Sequence, residues 1–276
     1  MQKTDIEYLT HTWNPIAMLC SPVSAGCDNC WHRNMARRMS GMKQFSQERR
    51  DAYAGGKPVL IESELAAPGK VKKSSVIGVQ FMGDLHHDNV TGMMLFEIYR
   101  TIIKNQNHKF LVLTKRPDNL KDYAEIMNDR FHSFNKPLPN LWLGVSISTN
   151  DDLWMVEKLL QIPAAVRFVS VEPMLERIDF EQYLRCPDCK GIGGFYDAEE
   201  GTEWRCEKCF EKNYIDWVIC GAETGHGKRP MDIEWATNLR DQCQSAGVPF
   251  FFKKDSNGSR LLDNKLYEEY PDIGGK

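Results

Sequence analysis

The sequence has no long apolar run. No stretch approaches the roughly 18 residues that a membrane-spanning helix needs, and the start, Met1-Gln-Lys-Thr-Asp5, lacks the apolar core of a secretion signal. The expectation is a cytoplasmic protein that does not enter a membrane. A charge excess is missing too: 35 Lys and Arg against 38 Asp and Glu leave a net charge of -3. That excludes a general basic field, so any contact with nucleic acid has to come from a local patch. Isolated cysteines are also scarce. Of nine cysteines, seven fall into two close-spaced groups, and only Cys220, in an apolar strand, and Cys243, on a helix, stand alone as small buried hydrophobes. In a reducing compartment such grouping points to metal ligation rather than disulfides. What remains is ordinary globular composition, 276 residues with 42% hydrophobic and 26% charged, enough for one large core or two small ones.

The first cysteine group is Cys20-Ser-Pro-Val-Ser-Ala-Gly-Cys27-Asp-Asn-Cys30, a C-x6-C-x2-C spacing directly after the short apolar segment Pro15 to Leu19. Three thiolates on one loop can hold three irons of a 4Fe-4S cluster and leave the fourth iron open for chemistry. A zinc site would need a fourth ligand from His11 or His32. His32 lies only two residues after Cys30, closer than the usual spacing, and His11 precedes the apolar segment. A merely buried or reactive set of thiols is the remaining alternative. Asp28 to Met39 has helical periodicity, with Trp31, Met35 and Met39 on one face and Arg33, Arg37 and Arg38 on the other.

Along the chain, Ser40 to Lys57 is polar, Pro58 to Glu64 alternates weakly as a strand or edge addition, and Ala67-Pro-Gly-Lys is a turn. Strands are then predicted at Val76–Met82, Phe110–Thr114, Leu141–Ser146, Val166–Val171, Asp216–Cys220 and Val248–Phe252. Helices are predicted near Met93–Asn105, Asp118–Arg130, Asp151–Gln161 (capped by Asn150 or Asp151) and Ile233–Ser245. Near-continuous apolar strands alternating with helices specify an α/β fold with a parallel sheet. With the segment before Cys20, about seven strands are found. The expected architecture is a partial (βα)6-7 TIM-type barrel with a small inserted zinc ribbon, and a doubly wound open sheet is the alternative. The expected division is 1–183 for the first part of the barrel, 184–214 for the ribbon, and 215–276 for the last part of the barrel and a tail.

Most strands end on a polar residue: Cys20, Asp84, Lys115, Ser146, Glu172, Glu223 and Lys253. In a βα barrel these ends converge on the face that carries the active site. Glu172, Glu223 and Lys253 are the candidate catalytic residues, the two carboxylates because each follows a strongly apolar strand, where an unpaired charge is costly. His86-His87 is a polar loop or a proton donor. Between the fifth and sixth strands, Cys186, Cys189, Cys206 and Cys209 form CxxC-x16-CxxC, the spacing of a closed, structural zinc site that would supply the ribbon's folding energy. Its aromatics and lysines could also touch nucleic acid.

Several motifs occur together: Thr12-Trp-Asn-Pro15, the three cysteines, Met82-Gly-Asp-Leu85, Leu113-Thr-Lys-Arg-Pro117, Trp142-Leu-Gly-Val-Ser146, Arg167-Phe-Val-Ser-Val-Glu-Pro173, Gly221-Ala-Glu-Thr-Gly225 and Gly247-Val-Pro-Phe-Phe-Phe-Lys253. In this order they resemble a phage and bacterial family of unknown function related to radical S-adenosylmethionine enzymes, and more distantly spore photoproduct lyase. The resemblance implies a 4Fe-4S cluster on Cys20, Cys27 and Cys30, S-adenosylmethionine as cofactor and an external one-electron donor. It further implies that Gly83 and Asp84 hold the methionine amino group, Lys115 and Ser146 its carboxylate, and Glu172 or Ser148 the ribose. The implied substrate is a base in DNA, with isomerisation of a modified thymidine side chain in phage DNA as the leading reaction and lyase or transferase chemistry as others; the compartment is then the host cytoplasm. The chain departs from the superfamily in its longer first gap and in Asn29, where an aromatic usually packs on adenine. Trp31 is the candidate substitute. Against this stand a non-catalytic zinc protein that binds nucleic acid or a partner, and a radical enzyme acting on a peptide or metabolite.

Overall fold

The structure, a computed structural model, describes residues 1–131, 137–184, 194–197, 201–205 and 214–272. Seven parallel strands form the frame: β1 (His11–Trp13), β2 (Val76–Val79), β3 (Lys109–Thr114), β4 (Leu141–Ile147), β5 (Val166–Val171), β6 (Trp217–Cys220) and β7 (Phe250–Phe252). They lie side by side in chain order, and Gln2–Lys3 adds an antiparallel eighth strand outside β1. A doubly wound sheet reverses its order at a switch point, and this one does not. Among the described residues β7 and Gln2–Lys3 do not pair, so the sheet stays open and no closed barrel forms.

The helices are α1 (Trp31–Ser40), α2 (Gly92–Lys104), α3 (Leu120–Phe131), α4 (Trp154–Leu159) and α5 (Ile233–Ala246). Local chemistry sets their ends. Thr91 accepts the Met94 N–H at 3.4 Å and Asp232 the Glu234 N–H at 3.0 Å, each satisfying an orphan donor of a first turn, while Gly247 closes α5 in the left-handed region. Ahead of α4, Thr149 and Asp152 form a capping box, so the cap is Thr149 rather than the expected Asn150 or Asp151.

Alternation along each strand separates two cores. Phe110, Val112, Leu143, Val145, Val169, Val218, Phe250 and Phe252 pack against Ile98, Tyr99, Tyr123, Val156 and Leu239 of the helices. The opposite face carries Leu111, Trp142, Phe168, Trp217, Ile219 and Phe251, and among the described residues no helix packs against them. It is filled by its own rings and by the N-terminal segment: Tyr8 meets Trp217 and Phe251 edge-on, both at 5.8 Å between centroids. All labelled helices that share the main core therefore sit on one side, and an aromatic floor lies on the other.

Three local expectations need correction. The segment before Cys20 is not the first sheet strand: β1 ends at Trp13, and Ile16–Ala17 pairs instead with Val59–Leu60 in a two-stranded ribbon. Pro15 has no N–H to continue a ladder, and Gln80 captures the next residue, accepting the Ile16 N–H and donating to its carbonyl, both at 2.9 Å. The polar stretch from Ser40 to Lys57 contains a helix, Gln47–Tyr53, too short and polar to show a stripe beyond Ala52 and Tyr53. On α1 the buried residues are His32 and Ala36, with Trp31 exposed, because small Ala36 is what packs closely beside Ala52 and Tyr53. The insertion shows an antiparallel hairpin, Gly194–Asp197 with Thr202–Arg205, while Cys186, Cys189, Cys206 and Cys209 lie outside the described residues.

Candidate functional site

The C-terminal ends of the parallel strands open onto a cavity of about 620 Å³, lined by Cys20, Cys27, Cys30, Gly83, Asp84, Lys115, Ser146, Glu172, Glu223 and Lys253 among others. Nearly every strand-end residue expected at a site is thus brought to one place. Ser148 is not: it is wholly buried, and its Oγ has no hydrogen-bond partner.

The cysteine loop is fastened at three points. Arg116, at the end of β3, donates from Nη2 to the Ser21 carbonyl at 2.9 Å and Oγ at 2.7 Å, and from Nη1 to Cys20 Sγ at 3.6 Å and Asp84 Oδ2 at 3.3 Å. At the opposite end of the loop, Asn29 Nδ2 donates to Glu223 at 3.0 Å and Arg229 Nη1 to Asp28 at 3.3 Å. Between them Gly26 lies against Ser148 and Lys115: a Cβ built on Gly26 would stand 2.1 Å from Ser148 Oγ. Only glycine lets the loop approach this closely.

Asp84 and Glu223 are both occupied with this fastening. Besides Arg116, Asp84 accepts Thr114 Oγ1 at 2.7 Å and the backbone N–H groups of His86 at 2.9 Å and Lys115 at 3.1 Å. Glu223 accepts Arg229 through N–H, Nε and Nη2 at 2.7, 3.0 and 2.5 Å, and those hydrogen bonds hold its carboxyl down at about 2. Gly83 has a φ of 132°, and a Cβ there would stand 2.8 Å from Met18 Sδ, so this turn too demands glycine.

The facing wall is different. Lys253 Nζ spans both Glu172 oxygens at 2.6 and 2.7 Å and lies 3.8 Å from Glu7, which reaches in from the N-terminal segment beside Lys254 at 3.6 Å. Tyr8 completes the group, its ring 5.5 Å from the Lys253 ammonium; burial first, then Glu172 and Glu7, raise its phenol well above the ordinary range.

All three cysteines are free thiols. Burial, then Asp84, pushes the Cys20 thiol up to about 11 against the pull of Arg116. His32 takes the Cys20 N–H on Nε2 at 3.3 Å and is pushed down to about 4 by burial, so this ring holds the loop as a neutral acceptor. His11 pairs with Ile77 near the start of β2, at the sheet's other end from the thiols. Among the described residues no three His, Cys, Asp or Glu side chains gather closely enough to hold a single metal ion. His86 and His87 sit in the loop after β2, with His86 Nε2 2.8 Å from Tyr99 Oη and His87 Nε2 accepting the Ser21 N–H at 3.3 Å, so His87 also steadies the cysteine loop.

Sequence reasoning missed Arg116, Asn29 and Arg229. Arg116 follows Lys115 at a strand end, and an Arg next to a Pro there was the available sign. Asn29 gave none, because its partner Glu223 is 194 residues away, and neither did the contact of Arg229 with Asp28, 201 residues away, although Arg229 also holds Glu223 only six residues before it.

Among the described residues, no helix is long and apolar enough to cross a membrane. A model of the family described as a protein of unknown function, DUF5131, matches residues 3–271, and the chain belongs to that family. No curated protein and no solved structure matches it.

Proposed function

We propose that this member of the DUF5131 family is a radical S-adenosylmethionine enzyme built on a partial βα barrel, acting on a base in nucleic acid. The observation that carries the reading is the loop of three free thiols at a cavity of about 620 Å³ at the C-terminal ends of a singly wound parallel sheet. Its volume lies within the roughly 300–1,000 Å³ of small-molecule sites. The donor set fits a cluster. Three free thiols stand on one loop at the cavity, and a 4Fe-4S cluster binds each of three thiolates to a different iron.

Cys20, Cys27 and Cys30 would hold the cluster. Such a cluster would supply the electron for reductive cleavage of S-adenosylmethionine, and with it radical chemistry on the substrate. The chain's own residues do the rest. Arg116 and Lys115 set positive charge beside the thiolates, and the three fastenings fix the loop before any ligand arrives. Ser146 and Lys115 line the cavity, with Lys115 Nζ donating to the Ser146 carbonyl at 3.1 Å, and would be the groups that meet the methionine carboxylate. Glu172 and Lys253 form a polar wall able to orient a substrate or hold a proton, at Glu172 Oε or Lys253 Nζ. From the aromatic face of the sheet, Tyr8, Phe81 and Leu113 line the cavity. The reaction proposed is isomerisation of a modified thymidine side chain in DNA, with electrons from an external donor and a structural zinc on Cys186, Cys189, Cys206 and Cys209. A base would have to leave the stack to reach this depth.

The test is production of 5′-deoxyadenosine from S-adenosylmethionine and a reductant by protein purified without oxygen. Cys27→Ala is expected to abolish it; unchanged production by the variant contradicts the reading. Turnover on DNA against peptide then separates the substrate classes.

A further inference from the structure

The outer side of α1 belongs to no part of the site described above. From Trp31 to Gln47 the chain carries Arg33, Arg37, Arg38 and Lys43 and no acidic residue. All four cations are exposed, and among the described residues none has a carboxylate within 4.0 Å. The other site arginines, Arg116 and Arg229, are paired with Asp84 and Glu223. An unpaired cluster on a chain of net charge -3 is a local patch, not a sample of the surface average.

Its position relative to the cavity gives it a use. Trp31 and Met35 line the cavity, and at 3.6 residues per turn Arg38 comes round to the same side of the helix as these two. Arg33 and Arg37 follow on the outward side, and Lys43 lies just beyond the last turn. Trp31 is 47% exposed, an aromatic standing at the rim instead of inside. A half-free ring at the mouth, with uncompensated cations on the exposed side of the same helix, is the combination that binds a single strand: bases stack on the ring and phosphates meet the cations.

We infer that α1 is a nucleic-acid-binding surface of this protein: Trp31 stacks on a base flanking the one in the cavity, and Arg38 on the same side of the helix, with Arg33, Arg37 and Lys43 on its exposed outer side and end, meet the phosphates of that strand. This deepens the nucleic-acid part of the proposed function and rests on it, but not on the cluster. Single-stranded or locally opened DNA is the partner the geometry favours, because Trp31 stands at the mouth of the cavity that would take the neighbouring base, where an acidic protein or a membrane surface would meet the cations without filling the cavity.

The experiment measures binding of a labelled single-stranded DNA of about 12 nucleotides, near the span of one binding channel, to the full chain by fluorescence anisotropy over a range of salt. Arg33→Gln/Arg37→Gln/Arg38→Gln removes three phosphate contacts, and the slope of log affinity against log salt should fall by about 2, with a loss of roughly 100-fold at about 0.1 M salt. Trp31→Ala should weaken binding with the slope unchanged, since stacking releases no counterions. Lys70→Gln/Lys72→Gln/Lys73→Gln removes the same charge from exposed positions before β2, at the other end of the sheet, and should change neither. Circular dichroism confirms folding of each variant. Equal losses from both triple variants, or none from the arginine variant, overturn the assignment. So does binding to phosphatidylserine vesicles that matches DNA binding and ignores Trp31→Ala. Because the readout needs neither iron nor cleavage of S-adenosylmethionine, a protein that binds DNA through α1 but makes no 5′-deoxyadenosine would refute the radical reading and leave this one standing.

Discussion

The two walls of the cavity use the same residue types in opposite ways. On the cysteine side, Asp84 and Glu223 each collect donors until little capacity is left: Thr114, Arg116 and two backbone amides for one, Asn29 and the whole of Arg229 for the other. On the facing wall, among the described residues, the Glu172 carboxylate is held by Lys253 alone, and Glu7 lies 3.8 Å from Lys253 and 3.6 Å from Lys254. A carboxylate at a strand end is therefore not a role. Its hydrogen-bond occupancy separates the residues that position the loop from those with capacity left for a ligand.

The sharpest way to break this contrast is Arg116→Ala. It frees Cys20 and Ser21 and leaves Asp84 buried without its cation, at a cost of about 3–5 kcal/mol in urea unfolding. A loss near zero would mean that the loop is held elsewhere. On the facing wall, Glu172→Gln should cost less in stability, since Glu172 keeps more contact with the cavity, while lowering turnover much more than Glu223→Gln does at equal cofactor loading. Equal effects would erase the distinction between the walls.

A smaller effect is expected at the loop's underside. Gly26→Ala forces a Cβ onto Ser148 and should cost about 1–3 kcal/mol as overpacking. Adding Ser148→Gly should restore part of it, because the two positions share one contact. Strict additivity of the two changes would show that they do not meet.

The pH dependence of Glu223 is the finest probe. Its folded carboxyl is depressed from 4.5 to about 2, chiefly by hydrogen bonds from Arg229. Its stabilisation is therefore complete above the unfolded value and lost as pH falls through the folded one. The urea midpoint of the wild-type chain should fall from pH 5 toward pH 3 more than that of Glu223→Gln, narrowing the gap between them. A constant gap would place Glu223 in water, unpaired. The smallest effect belongs to Asn29→Ala, about 1 kcal/mol for one hydrogen bond of the loop.

The sheet was legible because each strand is a buried apolar run closed by a polar residue; Val166–Val171 in the structure is the segment the pattern specifies. The first strand was misplaced by four to six residues, because Gln80 and Pro15 decide where the ladder ends, and a side chain more than 60 residues away leaves no local trace. The site was legible as a set of strand ends, Cys20 to Lys253. Which of them fasten the loop and which face a ligand depends on Asn29 meeting Glu223 across 194 residues, and no spacing rule reports such a pair. Trp31 shows the same limit: periodicity put it with Met35 and Met39, but whether that face points inward depends on where Ala36 docks.

The central claim is that the loop of Cys20, Cys27 and Cys30 carries an iron–sulfur cluster. It is tested most directly by the metal content and absorbance of protein purified without oxygen, followed by S-adenosylmethionine and a reductant. The account predicts about four irons and one zinc per chain, with 5′-deoxyadenosine formed. Two zincs, no iron and no 5′-deoxyadenosine would contradict it and make this a zinc-binding protein whose strand-end charges form a binding surface.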